Sequence, residues 1–102
     1  MTQTQYRVPR DKVRWNIVDN EAVLIQIETS YYYSLNKTGT FVWEELLVRP
    51  QTADELTQRV AAHFGRDTAT ARADLMQFLD SMIAEQLVAI VSDEYANPNV
   101  LA

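Results

Sequence analysis

The side chains that most often perform catalysis are scarce in this sequence. His63 is its single histidine and it contains no cysteine, which excludes a site with two imidazoles, a thiolate nucleophile or a cysteine-bound metal. The adjacent carboxylates are Glu44–Glu45, Asp54–Glu55 and Asp93–Glu94, which fall on predicted helix surfaces or in the C-terminal segment. Adjacent helical residues do not face each other, and no glycine-rich phosphate loop is present. The sequence therefore predicts a protein that is not an enzyme and needs no metal or cofactor.

A run of three tyrosines is the most unusual chemical feature. Tyr31-Tyr32-Tyr33-Ser34-Leu35 is typical of a strand, with Tyr31, Tyr33 and Leu35 on one face and Tyr32 and Ser34 on the other. In one interpretation these residues only build the sheet, because tyrosine favours strands. In the other, the strand is an open edge that pairs with an incoming peptide strand, for which amphipathic tyrosines are well suited.

Composition and charge narrow the class of protein. The chain has 102 residues, of which 47% are hydrophobic and 23% charged, as expected for one folded domain. Its net charge is −5, divided between +3 in the first fourteen residues and −8 in the remainder. No apolar run reaches the roughly 18 residues of a membrane span, and the polar N-terminus leads into no signal sequence. We therefore expect a cytoplasmic protein without a membrane segment.

The tyrosine run is predicted to lie in a small antiparallel sheet. Residues 13–17 alternate between apolar and polar side chains, residues 19–21 have turn chemistry, and residues 22–28 are aliphatic and β-branched. With residues 31–35 as the third strand, the pattern predicts a meander connected by short turns.

Helices are predicted to follow the sheet. Asn36 is a good N-cap for a first helix that ends at Arg49-Pro50, and Thr52 with Glu55 forms a capping box for a second helix that Gly65 ends. A third helix and a short strand over residues 87–91 complete an α+β fold with the appearance of a winged helix–turn–helix.

The charge of the third helix disfavours nucleic-acid binding. Between about Thr70 and Gln86 this helix has one basic residue, Arg72, against Asp74, Asp80 and Glu85. A recognition helix in DNA-binding proteins presents basic and amide side chains to phosphates and base edges. A winged-helix regulator that binds nucleic acid, or a scaffold, remains the alternative function.

A more specific pattern spans Leu35 to Trp43. Leu35-Asn36-Lys37-Thr38-Gly39-Thr40-Phe41-Val42-Trp43 resembles the LNxTGxxhW signature of the PqqD-like family, in which h is aliphatic. This family comprises pyrroloquinoline-quinone biosynthesis protein D and related recognition elements for ribosomally synthesised, modified peptides. The blocks at residues 52–56, 74–79 and 87–88 also resemble it, so the similarity extends from about Val13 to Val91.

The resemblance implies a non-catalytic peptide chaperone. It would bind the leader of a precursor peptide in a groove between the third strand and the third helix, and present the precursor to a radical-SAM enzyme or a leader peptidase. An exposed strand edge also permits a homodimer. Carried onto this sequence, the binding residues are Tyr31, Tyr32, Tyr33, Ser34 and Leu35 on the strand, and Arg72, Leu75, Met76 and Leu79 on the helix.

The expected domain organisation has three parts. Residues 1–12 are predicted to form a flexible basic arm, residues 13–91 the recognition domain and residues 92–102 a loose tail.

Two positions depart from the family pattern and bear on turn geometry. Gln86 stands where the family usually has glycine, and Val48-Arg49-Pro50 replaces the usual glycine at the end of the first helix.

Overall fold

The computed structural model describes residues 3–91, which form six strands and three helices. In chain order these elements are β1 (Gln5–Arg7), β2 (Val13–Val18), β3 (Glu21–Gln26), β4 (Tyr31–Ser34), α1 (Lys37–Val48), β5 (Gln51–Thr52), α2 (Ala53–Phe64), α3 (Thr68–Ala84) and β6 (Ala89–Val91). The predicted α+β class is confirmed, with three helices after the three-stranded sheet and a short C-terminal strand.

The predicted meander is present as an antiparallel sheet with strand order β2-β3-β4. Asp19 and Asn20 connect β2 to β3 with φ values of 54° and 64°, the left-handed conformation that two-residue hairpin turns require. Asp and Asn tolerate this conformation better than most residues, which explains why they occupy the turn.

Hydrogen bonds at the junction between β4 and α1 hold the helix against the sheet. The Asn36 side chain caps α1 by accepting the Gly39 N–H at 2.8 Å, as predicted. The Thr40 hydroxyl accepts the Ala22 N–H at 2.8 Å and donates to the Leu35 carbonyl at 3.4 Å. A side chain of α1 therefore bridges β3 and the end of β4, which fixes the start of the helix relative to both strands.

The caps of α2 agree with the sequence pattern, and α3 begins with a cap that the sequence pattern did not predict. Thr52 and Glu55 form the predicted capping box, and Gly65 ends α2 in the left-handed conformation with a φ of 63°. Asp67 then caps α3 by accepting the Thr70 N–H at 3.0 Å. The short connection at Gly65 places α2 and α3 against each other, as predicted for this helix pair.

A second sheet corrects the prediction of a flexible basic arm over residues 1–12. β1 pairs with β5 on one side and with β6 on the other, and Gln5 lies opposite Val91. Tyr6 and Val8 are only 7% and 6% exposed, so this segment contributes to the core. Burial of these apolar side chains and two antiparallel pairings hold the segment in place. The expected loose tail, residues 92–102, lies outside the described residues.

The core lies between the two sheets and the helices. Trp43 at its centre is fully buried and packs edge-on against Trp15, with ring centroids 5.8 Å apart. The largest of the other fully buried apolar side chains are Leu24, Leu56, Leu79 and Leu87. Across residues 3–91, none of the helices has the length and apolar character needed to cross a membrane.

Candidate functional site

β4 is an edge strand whose outer side is unpaired within residues 3–91. The Leu35 N–H donates to the Ala22 carbonyl at 2.8 Å, and the register aligns Tyr33 with Leu24. Hydrogen-bonded and non-hydrogen-bonded pairs alternate along an antiparallel ladder, so the main-chain groups of Tyr33 also face β3. The N–H and C=O groups of Tyr32 and Ser34 consequently point to the open edge, where a further strand can bind them.

The three tyrosine side chains have different environments. Tyr31 and Tyr32 are 63% and 71% exposed, whereas Tyr33 is half-buried and packs against the core. The Tyr33 hydroxyl donates a hydrogen bond to Glu85 Oε1 at 2.7 Å. This hydrogen bond to a carboxylate, aided by burial and by the negative charge of Glu85, raises the pKa of Tyr33 to about 12. Tyr33 therefore remains a neutral donor and holds the end of α3 beside β4.

A depression of about 520 Å³ lies where β4 runs into α1, with α3 as its other wall. Its aromatic surface is Phe78, whose Cε1 atom lies 3.0 Å from the place that a Cβ on Gly39 would occupy. The absence of a side chain at Gly39 lets α1 approach this ring closely. The residues lining the depression are Asn36, Thr38, Gly39, Arg66, Asp74, Gln77, Phe78 and Ser81.

The hairpin between β3 and β4 is tied to the C-terminal end of α3. Gln26, although polar, is 1% exposed, and its Nε2 donates to the Gln86 carbonyl at 3.4 Å. Its Oε1 accepts the Glu28 N–H at 2.7 Å. Together with the hydrogen bond between Tyr33 and Glu85, these contacts hold the C-terminal end of α3 beside β4. The surface that runs along α3 from Glu85 to the depression at Phe78 is the groove of this site.

Comparison with known proteins identifies the family. The family described as coenzyme PQQ synthesis protein D (PqqD) matches residues 21–98. The chain belongs to the PqqD family. No curated protein matches it.

Three solved structures share the fold of this PqqD-family chain. TbiB1 in complex with the TbiA(beta) leader peptide is 26% identical, with a TM-score of 0.74, and the match covers 80% of this chain and 93% of that one. Lasso peptide synthetase B1 complexed with the leader peptide is 18% identical, with a TM-score of 0.71 and coverages of 82% and 96%. The PqqD truncation of Methylobacterium extorquens PqqCD, described as a stand-alone recognition element, is 21% identical, with a TM-score of 0.68 and coverages of 83% and 88%.

The structure brings together only part of the predicted site of this PqqD-family protein. Tyr31–Ser34 form β4, whereas Leu35 lies just beyond the strand and is buried in the core. On α3, Leu75 and Leu79 are 4% and 0% exposed, so their side chains pack inside the domain and do not line the groove.

Arg72 and Met76 lie on the opposite flank of α3 from β4, which corrects the predicted helix wall. They line a separate depression of about 420 Å³ beside Tyr6, and Arg72 forms an ion pair with Asp54. At 3.6 residues per turn, Met76 is rotated from Phe78 by about 160° around the helix axis, so the two cannot share one wall. The flank of α3 on the β4 side instead carries Asp74, Phe78, Ser81 and Glu85.

The spacing of these four α3 residues in the sequence indicates that they share one flank of the helix. Positions 74, 78, 81 and 85 recur at helical spacing and form one stripe along α3. Phe78 also falls in the apolar helical series of Leu75, Leu79 and Met82, a pattern that predicts a core position. In the structure Phe78 is half-buried, with one side of its ring over Gly39 and the other toward the depression. This position results from the packing of α1 against α3.

His63 and the carboxylates are the remaining candidate groups for chemistry. His63 is exposed and stacks on Phe41, with ring centroids 4.3 Å apart. Over residues 3–91 no three His, Asp or Glu side chains are grouped in a way that could hold a metal ion. The candidate site of the described domain is the open edge of β4 beside the groove.

Proposed function

We propose that this protein binds the leader segment of a ribosomally made precursor peptide, which adds as a strand to the open edge of β4. The observation that carries the proposal is the position of this edge. Its unpaired main-chain groups at Tyr32 and Ser34 lie alongside the groove formed with α3. Membership of the PqqD family and the fold shared with two leader-peptide complexes support it.

Strand addition explains how one small domain can provide both affinity and selectivity. The main-chain hydrogen bonds to Tyr32 and Ser34 do not depend on peptide sequence and contribute affinity. Side chains of a bound strand alternate between two faces, so every second one points toward α3. Those side chains meet Phe78 and its surrounding polar groups, and this contact supplies sequence selectivity.

The domain acts by positioning and performs no chemistry itself. A bound leader keeps the rest of the precursor near the active site of a second protein and so raises its effective concentration there. The partner in this proposal is a peptide-modifying enzyme, such as a radical-SAM protein or a leader peptidase. Purified alone, the protein should leave a precursor peptide chemically unchanged.

The decisive experiment is an amide NMR titration with leader peptides from precursor genes adjacent to its own. Binding should shift the β4 and α3 signals and slow hydrogen exchange at the Tyr32 and Ser34 amides. The Tyr33 amide, already paired with β3, should change much less. Shifts confined to residues 7–14, or produced equally by duplex DNA, would overturn the proposal in favour of nucleic-acid binding.

A matched pair of variants at one position tests the strand edge directly. Ser34→Pro removes an outward-facing N–H, and proline is tolerated where the N–H of an edge strand faces solvent. It should weaken leader binding at least about tenfold, because one hydrogen bond is lost and a peptide carbonyl is left unpaired. Ser34→Ala keeps the amide and should bind as the wild type does. Equal binding by both variants would exclude pairing at this edge.

A further inference from the structure

Glu85 is a charged group at the open edge of the groove. It lies at the C-terminal end of α3, is exposed, and accepts the Tyr33 hydroxyl at 2.7 Å. An ionised carboxylate has about four acceptor sites, so a single phenol leaves most of its capacity free. The tyrosine fixes the position of the carboxylate without neutralising its charge.

A strand added to β4 would place a side chain next to this carboxylate. Residues directly opposite each other on neighbouring strands have Cβ atoms about 5 Å apart and project from the same face. The residue paired with Tyr33 therefore projects toward α3, as Tyr33 itself does. A Lys or Arg side chain at that place is long enough to reach Glu85.

Within residues 3–91, Glu85 takes part in no ion pair, in contrast to Asp74 on the same flank of α3. Asp74, further along α3, faces Arg66, with a nitrogen-to-oxygen distance of 3.6 Å. Arg7 and Lys12 line a different depression, together with Gln86 and the start of β6.

We propose, resting on the function proposed above, that this groove selects leader strands carrying a Lys or Arg that hydrogen-bonds Glu85 beside Tyr33. Glu85 is then a specificity-determining residue of the site. A charge-assisted hydrogen bond with a basic side chain is stronger than a neutral one and discriminates against acidic side chains at the same place.

The proposal also predicts a spacing within the leader. Phe78 lies seven residues before Glu85, which corresponds to about 10 Å along the helix. Same-face positions on a strand are about 7 Å apart. The basic residue should therefore be accompanied by an apolar residue two or four positions away, which contacts Phe78.

The test selects peptides from a random linear library displayed on phage, using the full-length protein as bait. Parallel selections use the wild type, Glu85→Lys and the matched control Asp80→Lys, which makes the same charge change on the exposed side of α3. Thermal melts confirm that each bait is folded. Binders whose capture is lost on Ser34→Pro are retained as edge-binding peptides.

Selection on the wild type and on Asp80→Lys should enrich peptides with a basic residue at a constant distance from an apolar one. Selection on Glu85→Lys should enrich peptides with an acidic residue in place of the basic one. For one selected peptide synthesised in Lys and Glu forms, Glu85→Gln should weaken binding of the Lys form about fivefold, as for a partly exposed ion pair. It should leave the Glu form unchanged or improve it.

Edge-binding peptides whose sequences do not change with Glu85→Lys would overturn this inference and leave the proposed function standing. Equal shifts in sequence with Asp80→Lys would also overturn it, because the effect would then reflect net charge alone. A library without any binder sensitive to Ser34→Pro would overturn the proposed function, and this inference with it.

Discussion

The close contact between Gly39 and Phe78 allows a quantitative test of the groove. A Cβ at position 39 would lie 3.0 Å from Phe78 Cε1, 3.3 Å from Asn36 Oδ1 and 3.4 Å from the Leu35 Cβ. The first distance is well below an ordinary contact between carbon atoms. In Gly39→Ala the aromatic ring must therefore move away from α1, into the depression that it lines.

Two opposing effects determine the size of the change in stability. Overpacking costs about 1–3 kcal/mol, and a cost of about 1.5 kcal/mol applies here because Phe78 is half-buried beside open space. Alanine in place of helical glycine returns about 0.5 kcal/mol, because Gly39 lies in the first turn of α1. We expect Gly39→Ala to lower the free energy of unfolding by about 1 kcal/mol. In a Phe78→Leu background, which lacks the contacting atom, the same substitution should raise it by about 0.5 kcal/mol.

Urea unfolding of the wild type, the two single variants and the double variant forms a double-mutant cycle that measures this coupling. The same cycle shows whether Gly39→Ala destabilises the wild type and stabilises the Phe78→Leu variant. A coupling energy near 1.5 kcal/mol is expected for residues in contact. Additivity within about 0.5 kcal/mol, or a stabilising Gly39→Ala in the wild-type background, would refute the placement of the Phe78 ring over Gly39.

Three further predictions concern ionisation and caps. The folded-state pKa of Tyr33, about 12, is above its ordinary value of 10.0, so the stability linked to it is complete below pH 10 and is lost as the pH rises toward 12. Glu85→Gln should return the phenol titration, followed by absorbance, toward 10; an unchanged titration would exclude their hydrogen bond. Thr52→Ala should lower the free energy of unfolding by about 1 kcal/mol in urea, and no change would argue against the capping box with Glu55. Gln86→Gly should raise it by about 1 kcal/mol, because Gln86 has a φ of 60°, and a lower value would show that this conformation is not strained.

The elements with strong local signals could be predicted from the sequence. The β2–β3–β4 meander follows from alternation and from turn residues such as Asp19 and Asn20, and the caps at Asn36 and Thr52 use side chains within one helical turn. Each of these signals is contained in a few neighbouring residues. The order of a meander also places β4 at an edge, whereas the sequence left open whether the tyrosines only build the sheet or offer that edge to a peptide.

Features that depend on distant pairings could not be predicted in this way. β1 has three residues and becomes ordered only because β5 and β6 pair with its two sides, and the sequence near Tyr6 contains no sign of those partners. The helical period likewise predicts that α3 has a buried stripe without showing which flank faces β4. Arg72 and Met76 were assigned to the wrong flank for that reason, and only the packing of α3 resolves the choice.

The second sheet has a consequence for how this domain can be connected to other proteins. Antiparallel pairing of Gln5 with Val91 brings the two ends of the described domain to within about 5 Å of each other. Domains with neighbouring ends tolerate circular permutation and insertion into a host loop. Since β4 belongs to the other sheet, the domain could be inserted through two short linkers as a cassette with its groove unobstructed.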